Sequence, residues 1–373
     1  MLSGATAQLV KLDGDLLADR VRRLNTAIAT RDLDECHVFA RELHAQVIEP
    51  LLPIIVGDEL LIIPDGPLRT VNFEVLRSAS STSETDAKDL LLHRFTMAYL
   101  LSATTAMQFA QLAHGISEGT LALAPGFTDE LKKDYLARVQ DSSMIDHVFL
   151  RYVRQPFAMR TAEGLGRTLQ ANVLLGSKAS ESGFRAAMRD HGILHLGTHA
   201  EMNATDPMYS RLVLSKDGTG ADPDADGYLH AYEIYELDLR AQLAVLAACE
   251  TGTGSDDGEG VRSLGYSFAY AGCPSLLMSL WSIDEKTSSE IIARFYEHLA
   301  DGLPKHEALR RAKLDHLASA DAETSLPYYW AGLVLVGDLE PVQLRRRVWP
   351  WVMGAFAVLA VAAVVWHRRR RAA

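Results

Sequence analysis

The stretch from Leu243 to Gly254 reads LAVLAACETGTG. Small and branched apolar residues run up to Cys249, and polar residues and glycines follow at once. Apolar residues at successive positions are typical of a strand that is covered on both faces. The glycines allow the backbone to turn sharply just after it. The stretch therefore predicts a buried strand that presents Cys249 at its end.

Short apolar runs of the same kind recur along the chain, each bounded by Gly, Pro or Asp. They are LLIIPDG (60–66), TLALAPG (120–126), NVLLGS (172–177), ILHLGTH (193–199), RLVLS (211–215), PSLLMSLW (274–281) and GLVLVGD (332–338). Helical patterns lie between many of them; one is predicted to begin after the cap Asp284 and to run to Gly302, and Pro304 opens another. Strands that alternate with helices predict an α/β sandwich around a mostly parallel sheet.

The runs ILHLGTH and LAVLAAC end at His199 and Cys249. In an open α/β sheet, ligands bind outside the carboxyl ends of the strands, so imidazole and thiol meet at one edge if the two strands are neighbours. A thiol needs a base or a positive neighbour to become the reactive thiolate, and His commonly supplies it. Position alone leaves two interpretations of Cys249, a nucleophile or a small buried hydrophobe; we interpret Cys36 and Cys273 as the latter.

The residues around these two motifs resemble the CHAT domain family, caspase-like cysteine peptidases that are related to separases. The matching segments are LLIIPDGPLRTVNFEVL (60–76), NVLLGSKASESGFRAA (172–187), ILHLGTHAE (193–201), LAVLAACETGTG (243–254) and GEGVRSLGYSFAYAGCPSLLMSLWSIDEKTS (258–288). The similarity covers about residues 45–340. It implies a caspase-like α/β/α sandwich. The fifty residues from His199 to Cys249 are close to the interval typical of caspases.

The resemblance also implies a role for individual residues. Cys249 would be the nucleophile that attacks a peptide carbonyl, and His199 would protonate the leaving amine. The backbone N–H groups of Cys249 and Ala200 would stabilise the oxyanion. Separase-like relatives hold a basic P1 side chain, the one just before the cut, with acidic residues. Asp284 and Glu285 are therefore the candidate substrate-binding residues, with a helix cap as the alternative role of Asp284.

Two residues depart from the family pattern. Ala200 stands where caspase-like enzymes usually have Gly, and Glu285 stands where the family usually has Asp. No tetratricopeptide array is found in the sequence, so a sensor or repeat protein would be a separate partner. Two hypotheses follow: a cysteine endopeptidase that cleaves protein or peptide substrates, and a catalytically silent scaffold that recruits partners to a membrane.

Residues 349–366, WPWVMGAFAVLAVAAVVW, are the reason to expect a membrane, because these 18 residues contain no charge. That length is at the short end of what spans a hydrocarbon core of about 30 Å. Tryptophans at both rims and arginines beyond them are favoured at a membrane interface. We predict a single C-terminal transmembrane helix in contact with lipid and expect the peptidase domain on the cytoplasmic side, although both flanks are basic. The predicted division is a helical N-terminal segment (1–55), the peptidase domain (56–340), a basic linker (341–348), the helix (349–366) and a basic tail (367–373).

Composition excludes several other classes of protein. Three widely spaced cysteines form no disulfide framework and suit a reducing compartment. The net charge is −11, and without the seven arginines of residues 345–371 it becomes −18. Such an acidic body repels phosphate backbones, so no nucleic-acid partner is expected.

No cofactor and no metal are expected. His191, His195 and His199 are spaced by four, but on a strand such positions lie about 13 Å apart, too far to share a metal. His195 is therefore predicted to be a core histidine. The stretch DPDADGYLHAYE (222–233) fits the spacing of a calcium loop, with Glu233 as its last ligand. A strand precedes it where a helix is usual, so calcium binding is left open.

Overall fold

The computed structural model describes residues 11, 14–78, 89–104, 117–203, 205–216, 225–247 and 264–344. One compact unit spans Met1–Val342, and Gln343–Ala373 form a second. Among the helices of the described part, none has the length and apolar character needed to cross a bilayer. The predicted span 349–366 and the basic tail 367–373 lie outside the described residues.

Two helices open the described chain, α1 (Gly14–Thr30) and α2 (Leu33–Leu43), and they pack on each other. Leu17, Val21, Leu24 and Ile28 recur at helical spacing and form the buried face of α1, whereas Leu16 is 45% exposed. Asp32 caps α2 by accepting a hydrogen bond from the Glu35 N–H at 3.1 Å. After α2 the helical segment predicted for residues 1–55 continues as a π turn (His44–Ile48) and a 3₁₀ turn (Glu49–Ile54), in keeping with prolines at 50 and 53.

The described strands form two sheets. The strands are β1 (Glu59–Ile62), β2 (Thr96–Tyr99), β3 (Thr120–Ala124), β4 (Asn172–Leu175), β5 (Ile193–Leu196), β6 (His199–Glu201), β7 (Arg211–Val213), β8 (Tyr228–His230), β9 (Leu243–Leu246), β10 (Ser275–Ser279) and β11 (Leu333–Gly337). Eight of them form the large sheet in the order β1-β2-β11-β10-β9-β5-β3-β4, and β6-β7-β8 form the small one. In the large sheet only the β10–β11 pair is antiparallel. The mostly parallel sheet is as the sequence predicted.

Helices alternate with these strands along the chain. After α2 they are α3 (Leu91–Arg94), α4 (Asp129–Arg138), α5 (Pro156–Thr168), α6 (Glu181–Ala187), α7 (Ala231–Tyr235), α8 (Leu264–Tyr270), α9 (Glu285–Ala300), α10 (Lys305–Ser319) and α11 (Pro327–Trp330). Helix α5 packs on β3 and β4, and α9 lies between α5 and α10. The crossover from β3 to β4 and the one from β4 to β5 run in opposite directions across the sheet. Because parallel crossovers are right-handed, α5 and α6 lie on opposite faces.

The central strands of the large sheet are buried along their whole length, which explains their continuous apolar sequences. Every residue of β5, β9, β10 and β11 is buried. Gly197, just after β5, lets α5 come close, because a Cβ there would lie 3.1 Å from the Ala158 Cβ. The small antiparallel sheet follows directly, with His199 opposite Val213 and Glu201 opposite Arg211.

Candidate active site

The strands that lead to the two predicted catalytic residues are neighbours. β5 and β9 pair in parallel with Leu196 opposite Leu246, and the Ala247 N–H continues the ladder to the Leu196 carbonyl at 3.0 Å. His199 follows Leu196 by three residues, and Cys249 follows Leu246 by the same interval. Cys249 itself lies outside the described residues. The expectation of adjacent strands is confirmed, and the histidine is the member of the pair that the structure describes.

The sequence predicted that His199 ends the strand β5, and this prediction is wrong. β5 ends at Leu196, and His199 is the first residue of β6 in the small sheet. Between them Thr198 is fully buried, and its hydroxyl donates a hydrogen bond to the Val213 carbonyl of β7. This bond ties the turn to the small sheet and directs the chain away from the large one.

Three groups hold the imidazole of His199. Its Nε2 lies 2.9 Å from the Val153 carbonyl oxygen. The Tyr152 ring stacks on it, with centroids 5.3 Å apart and planes at 23°, and the Phe127 ring lies 4.9 Å away. Because a carbonyl oxygen only accepts hydrogen bonds, Nε2 donates, and the lone pair of the neutral ring is on Nδ1. Nδ1 is therefore the nitrogen that is available for proton transfer.

The surroundings of His199 favour the neutral ring. Burial lowers the pKa of His199 below the usual value for histidine. The hydrogen bond to Val153 and the negative charge of Glu201 oppose this shift, whereas the positive charge of Lys132 adds to it. A neutral imidazole at pH 7 can accept the proton of a thiol.

The turn after β3 has a strained backbone and carries the Phe127 ring. Phe127 has φ +45°, in the left-handed region that bulky side chains rarely adopt, and it is fully buried. Gly126 before it has φ +70°, and a Cβ at this position would collide with the Met159 side chain. Strained backbone of this kind is often found at functional sites. Here it places an aromatic ring against His199.

Tyr152, Val153 and Phe127 were not among the site residues predicted from the sequence. Val153 acts through its backbone carbonyl, which every residue type possesses, so no sequence signal points to it. Tyr152 lies 47 residues before His199 and belongs to none of the recognised segments. Phe127 could have been found, because it directly follows a predicted strand and therefore lies at the same carboxyl edge as the other candidates.

Ala200, the predicted oxyanion residue, lies in the middle of β6. It is half-buried and stands opposite Leu212 of β7. It is adjacent to His199 in the chain, as the predicted role requires. The other predicted oxyanion donor is the N–H of Cys249, which is outside the described residues.

Asp284 and Glu285, the predicted substrate-binding residues, both cap helices. Asp284 is the N-cap of α9 and accepts a hydrogen bond from the Thr287 N–H at 2.8 Å, which is the alternative role considered above. Glu285 Oε1 accepts from the N–H groups of Phe157 and Ala158 at 2.7 and 3.0 Å, at the first turn of α5. Burial raises the pKa of Glu285. Both carboxyl groups are half-buried near the carboxyl edge of the sheet.

A small cavity of about 30 Å³ lies between α5, α9 and the ends of β5 and β9. Ala247, Gln155, His195 and Glu285 contribute to its wall. The amide oxygen of Gln155 and Nε2 of His195 are buried there without a hydrogen-bond partner among the described residues. The volume suits one water molecule or a group of similar size.

No metal centre is found in the part of the chain that the structure describes. In the calcium-like stretch, Glu233 accepts from the His230 N–H at 2.8 Å and pairs with Arg185 at 2.8 Å. Asp226 accepts from the Tyr228 N–H at 2.8 Å. Asp222 and Asp224 lie outside the described residues. Glu233, the would-be bidentate ligand, is thus occupied in capping α7 and in an ion pair.

Comparison with known proteins gives one family match. The family model described as CHAT domain matches residues 37–338. Among curated proteins, no sequence matches the chain significantly.

Among the solved structures that match the chain are the following three, each at low sequence identity. The separase of the Saccharomyces cerevisiae separase–securin complex has 14% identity and a TM-score of 0.44; the match covers 82% of this chain and 17% of the separase chain. The Arg-specific cysteine proteinase gingipain R has 7% identity and a TM-score of 0.48, over 89% of this chain and 74% of its own. A complex of the Porphyromonas gingivalis RgpB pro- and mature domains matches with 9% identity and a TM-score of 0.47, over 89% and 76%.

Proposed function

The chain belongs to the CHAT domain family, and from this premise we propose that it is a caspase-like cysteine endopeptidase in which Cys249 and His199 form the catalytic dyad. The observation that carries the proposal is the register of β5 and β9. Leu196 lies opposite Leu246, and the two candidate residues follow these partners at equal intervals. The orientation of His199 supports it, because Nδ1 is left available for proton transfer.

In this mechanism the Cys249 sulfur attacks the carbonyl carbon of the scissile peptide bond, and its proton passes to Nδ1 of His199. Nδ1 then protonates the amide nitrogen as the C–N bond breaks, which leaves a thioester. Water attacks the thioester and gives a proton to Nδ1, which returns it to the sulfur. The N–H groups of Cys249 and Ala200 stabilise the oxyanion in both halves of the reaction. The Val153 carbonyl keeps the ring in one tautomer throughout.

The test is labelling of the full chain with an electrophilic peptide probe, an acyloxymethyl ketone with Arg at P1, followed by mass mapping of the modified residue. We expect modification of Cys249, none in Cys249→Ala, and a rate reduced roughly 10²-fold or more in His199→Ala. Cys273→Ser is the matched control, since burial raises the pKa of both the Cys36 and Cys273 thiols to about 12. Proteolysis or labelling that persists in Cys249→Ala would contradict the mechanism.

The second candidate is the catalytically silent scaffold, and Ala200 is the residue that favours it. Its methyl group replaces the hydrogen of the Gly that is usual after the histidine and adds bulk beside the proposed oxyanion site. A folded wild-type chain whose Cys249 resists the probe, but which reacts in the Ala200→Gly variant, would support the scaffold. In either case we propose that residues 349–366 anchor the chain in a membrane, with the peptidase domain on the cytoplasmic side.

A further inference from the structure

The side chains behind His199 form a connected polar network. The Tyr152 ring that stacks on His199 donates its hydroxyl hydrogen bond to Oε1 of Glu201. Glu201 Oε2 in turn accepts a hydrogen bond from Arg211 Nε at 2.8 Å, and the terminal NH2 nitrogen of Arg211 lies 2.7 Å from the same oxygen. One carboxylate oxygen of Glu201 thus accepts from Tyr152, and the other is in a charge-assisted contact with the Arg211 guanidinium.

The small sheet itself produces this geometry. His199 and Glu201 are two apart on β6, so their side chains lie on the same face, and Arg211 stands directly opposite Glu201 on β7. Arg211 is held in turn, because its guanidinium lies 3.6 Å from the centre of the Tyr228 ring on β8. The Tyr228 hydroxyl donates to Asp146 at 2.5 Å, and Asp146 pairs with Lys216 at 3.0 Å.

The segment that contains Tyr152 is fixed at its backbone as well. Lys132 of α4 donates to the Tyr152 carbonyl at 2.7 Å, and the next carbonyl, that of Val153, accepts from His199. Tyr152 thus has its ring against the imidazole, its hydroxyl on Glu201 and its carbonyl on Lys132.

We propose that Glu201, acting through Tyr152, is a positioning residue that fixes the orientation and the charge state of His199. The inference rests on the function proposed above, since it assigns His199 a catalytic role. The charged and titratable groups around His199 in the described chain are Lys132 from α4, Tyr152 from the segment before α5, Glu201 from β6 and Arg211 from β7. The carboxylate is the negative one, so its removal is expected to disfavour the imidazolium.

The first measurement follows His199 directly and needs no substrate. The full chain is labelled with ¹³Cε1-histidine, and the His199 signal is assigned by its loss in His199→Gln. We expect Glu201→Gln to lower the pH at which this signal titrates, because Gln preserves the shape and an acceptor for the Tyr152 hydroxyl but removes the charge. Tyr152→Phe preserves the stacked ring and removes the hydroxyl, and we expect it to move the chemical shift of the neutral ring.

The second measurement is the rate at which iodoacetamide alkylates Cys249 as a function of pH. The buried Cys36 and Cys273 do not compete. We expect Tyr152→Phe and Glu201→Gln to slow alkylation at pH 7 about tenfold through misplacement of the imidazole. Glu201→Ala, which also removes the acceptor for the hydroxyl, is expected to be slower than Glu201→Gln, so that the conservative variant gives partial rescue.

Matched controls separate the network from general effects of the substitutions. Tyr209→Phe and Glu236→Gln change exposed residues and should match the wild type in both measurements. The inference is overturned if two results are found together. The first is that the His199 signal keeps its wild-type pH midpoint in Glu201→Gln and its wild-type chemical shift in Tyr152→Phe. The second is that the alkylation rate of both variants stays within twofold of the wild type. A wild-type chain whose Cys249 resists the peptide probe would overturn the proposed function instead, and the His199 titration alone would then decide this inference.

Discussion

His195 and His199 are four residues apart, yet the fold gives them opposite surroundings. His195 lies within β5 and is 1% exposed, as predicted from the spacing of the histidines, and burial lowers its pKa to about 4. Its Nδ1 lies 3.3 Å from the Tyr296 hydroxyl. His199 lies just beyond the same strand, half-buried, with Nδ1 available. The alternation between core and edge thus decides which histidine can carry out chemistry.

The buried His195 predicts a loss of stability in acid. In the unfolded chain it binds a proton near pH 6.5, whereas in the folded chain it does so only near pH 4. Between these values the unfolded state binds more protons, so the free energy of unfolding falls as the pH falls from about 6.5 to 4. At pH 5, His195 lowers the free energy of unfolding by about 2 kcal/mol relative to its value above pH 7.

Urea unfolding at pH 7.5 and pH 5.0 tests this expectation. His195→Gln should reduce the difference in unfolding free energy between the two pH values by about 2 kcal/mol, whatever its effect at pH 7.5. His147→Gln, which changes an exposed histidine, should leave the difference unchanged. The expectation fails if the two variants show the same pH dependence.

At the site, the residues that could be predicted from the sequence are those that act through their side chains. Cys249 and His199 were recognisable because each carries a reactive side chain at the point where an apolar run ends. The Val153 carbonyl could not be recognised, because every residue type has the same backbone carbonyl. Glu201 was quoted within a recognised segment, but its importance depends on the pairing with Arg211, which the sequence does not reveal.

At the scale of elements, all eight quoted apolar runs contain strands. The missed strands are β2, β6 and β8. β6 and β8 have three residues each and alternate with polar side chains, so neither is long enough to show a period. β2, with the sequence TMAY, is fully buried and mostly apolar, but its run is flanked by Arg94 and Ser102 and not by the Gly, Pro or Asp that bound the quoted runs. RLVLS was predicted as a strand, but its place in a second, antiparallel sheet depends on contacts that periodicity does not encode.

Glu285 illustrates a link between two elements. The N-cap of α5 is Gln155, whose side chain does not cap the helix, and Glu285 from α9 supplies the acceptor instead. The carboxylate also lies at the positive end of the α5 dipole. This contact fixes the start of α5, which directly follows the Val153–Gln155 segment, and the first carbonyl of that segment accepts the hydrogen bond from His199.

We expect Glu285→Ala to lower the unfolding free energy by about 1–2 kcal/mol, because two helix N–H groups lose their acceptor. Glu285→Gln keeps an oxygen at this position and should cost clearly less. Denaturant unfolding of the two variants beside Glu290→Gln, an exposed residue one turn further along α9, measures the effect. Equal stability of Glu285→Ala and Glu290→Gln would show that the capping contact is energetically unimportant.

The same region is where we expect a basic P1 side chain to bind. Asp284 and Glu285, the two acidic candidates, are half-buried near the carboxyl edge of the sheet. A cationic group that enters such a site gains a charge-assisted hydrogen bond of roughly 1.5–3 kcal/mol, or tenfold and more in kcat/KM. We therefore expect cleavage after Arg or Lys to be preferred over cleavage after Met.

Matched peptides that differ only at P1 test the preference. Asp284→Asn is the informative variant, because Asn caps a helix as well as Asp and only the charge is lost. Glu285→Gln likewise keeps an acceptor for α5. A ratio of kcat/KM for Arg over Met that is near one in the wild type, or that is unchanged in both variants, would rule out the acidic P1 site.

At the scale of the whole molecule, charge separates the body from the C-terminal segment. The seven arginines lie within residues 345–371, and the rest of the chain carries −18. Basic residues beside a membrane span are attracted to anionic lipid headgroups, whereas an acidic body is repelled by them.

The last prediction concerns removal of this segment. Val342 is 8% exposed and belongs to the first compact unit, so a chain that ends at Leu344 keeps every described buried side chain, whereas one that ends at Glu340 loses one. We expect the Leu344 fragment to fold with the thermal midpoint of the full chain and to stay in the supernatant after high-speed centrifugation. The full chain should sediment with membranes and resist carbonate, because an apolar span of 18 residues has no charged face to lie on a surface. Release by carbonate would identify a surface-bound helix, and aggregation of the Leu344 fragment would show that residues beyond 344 are needed for the fold.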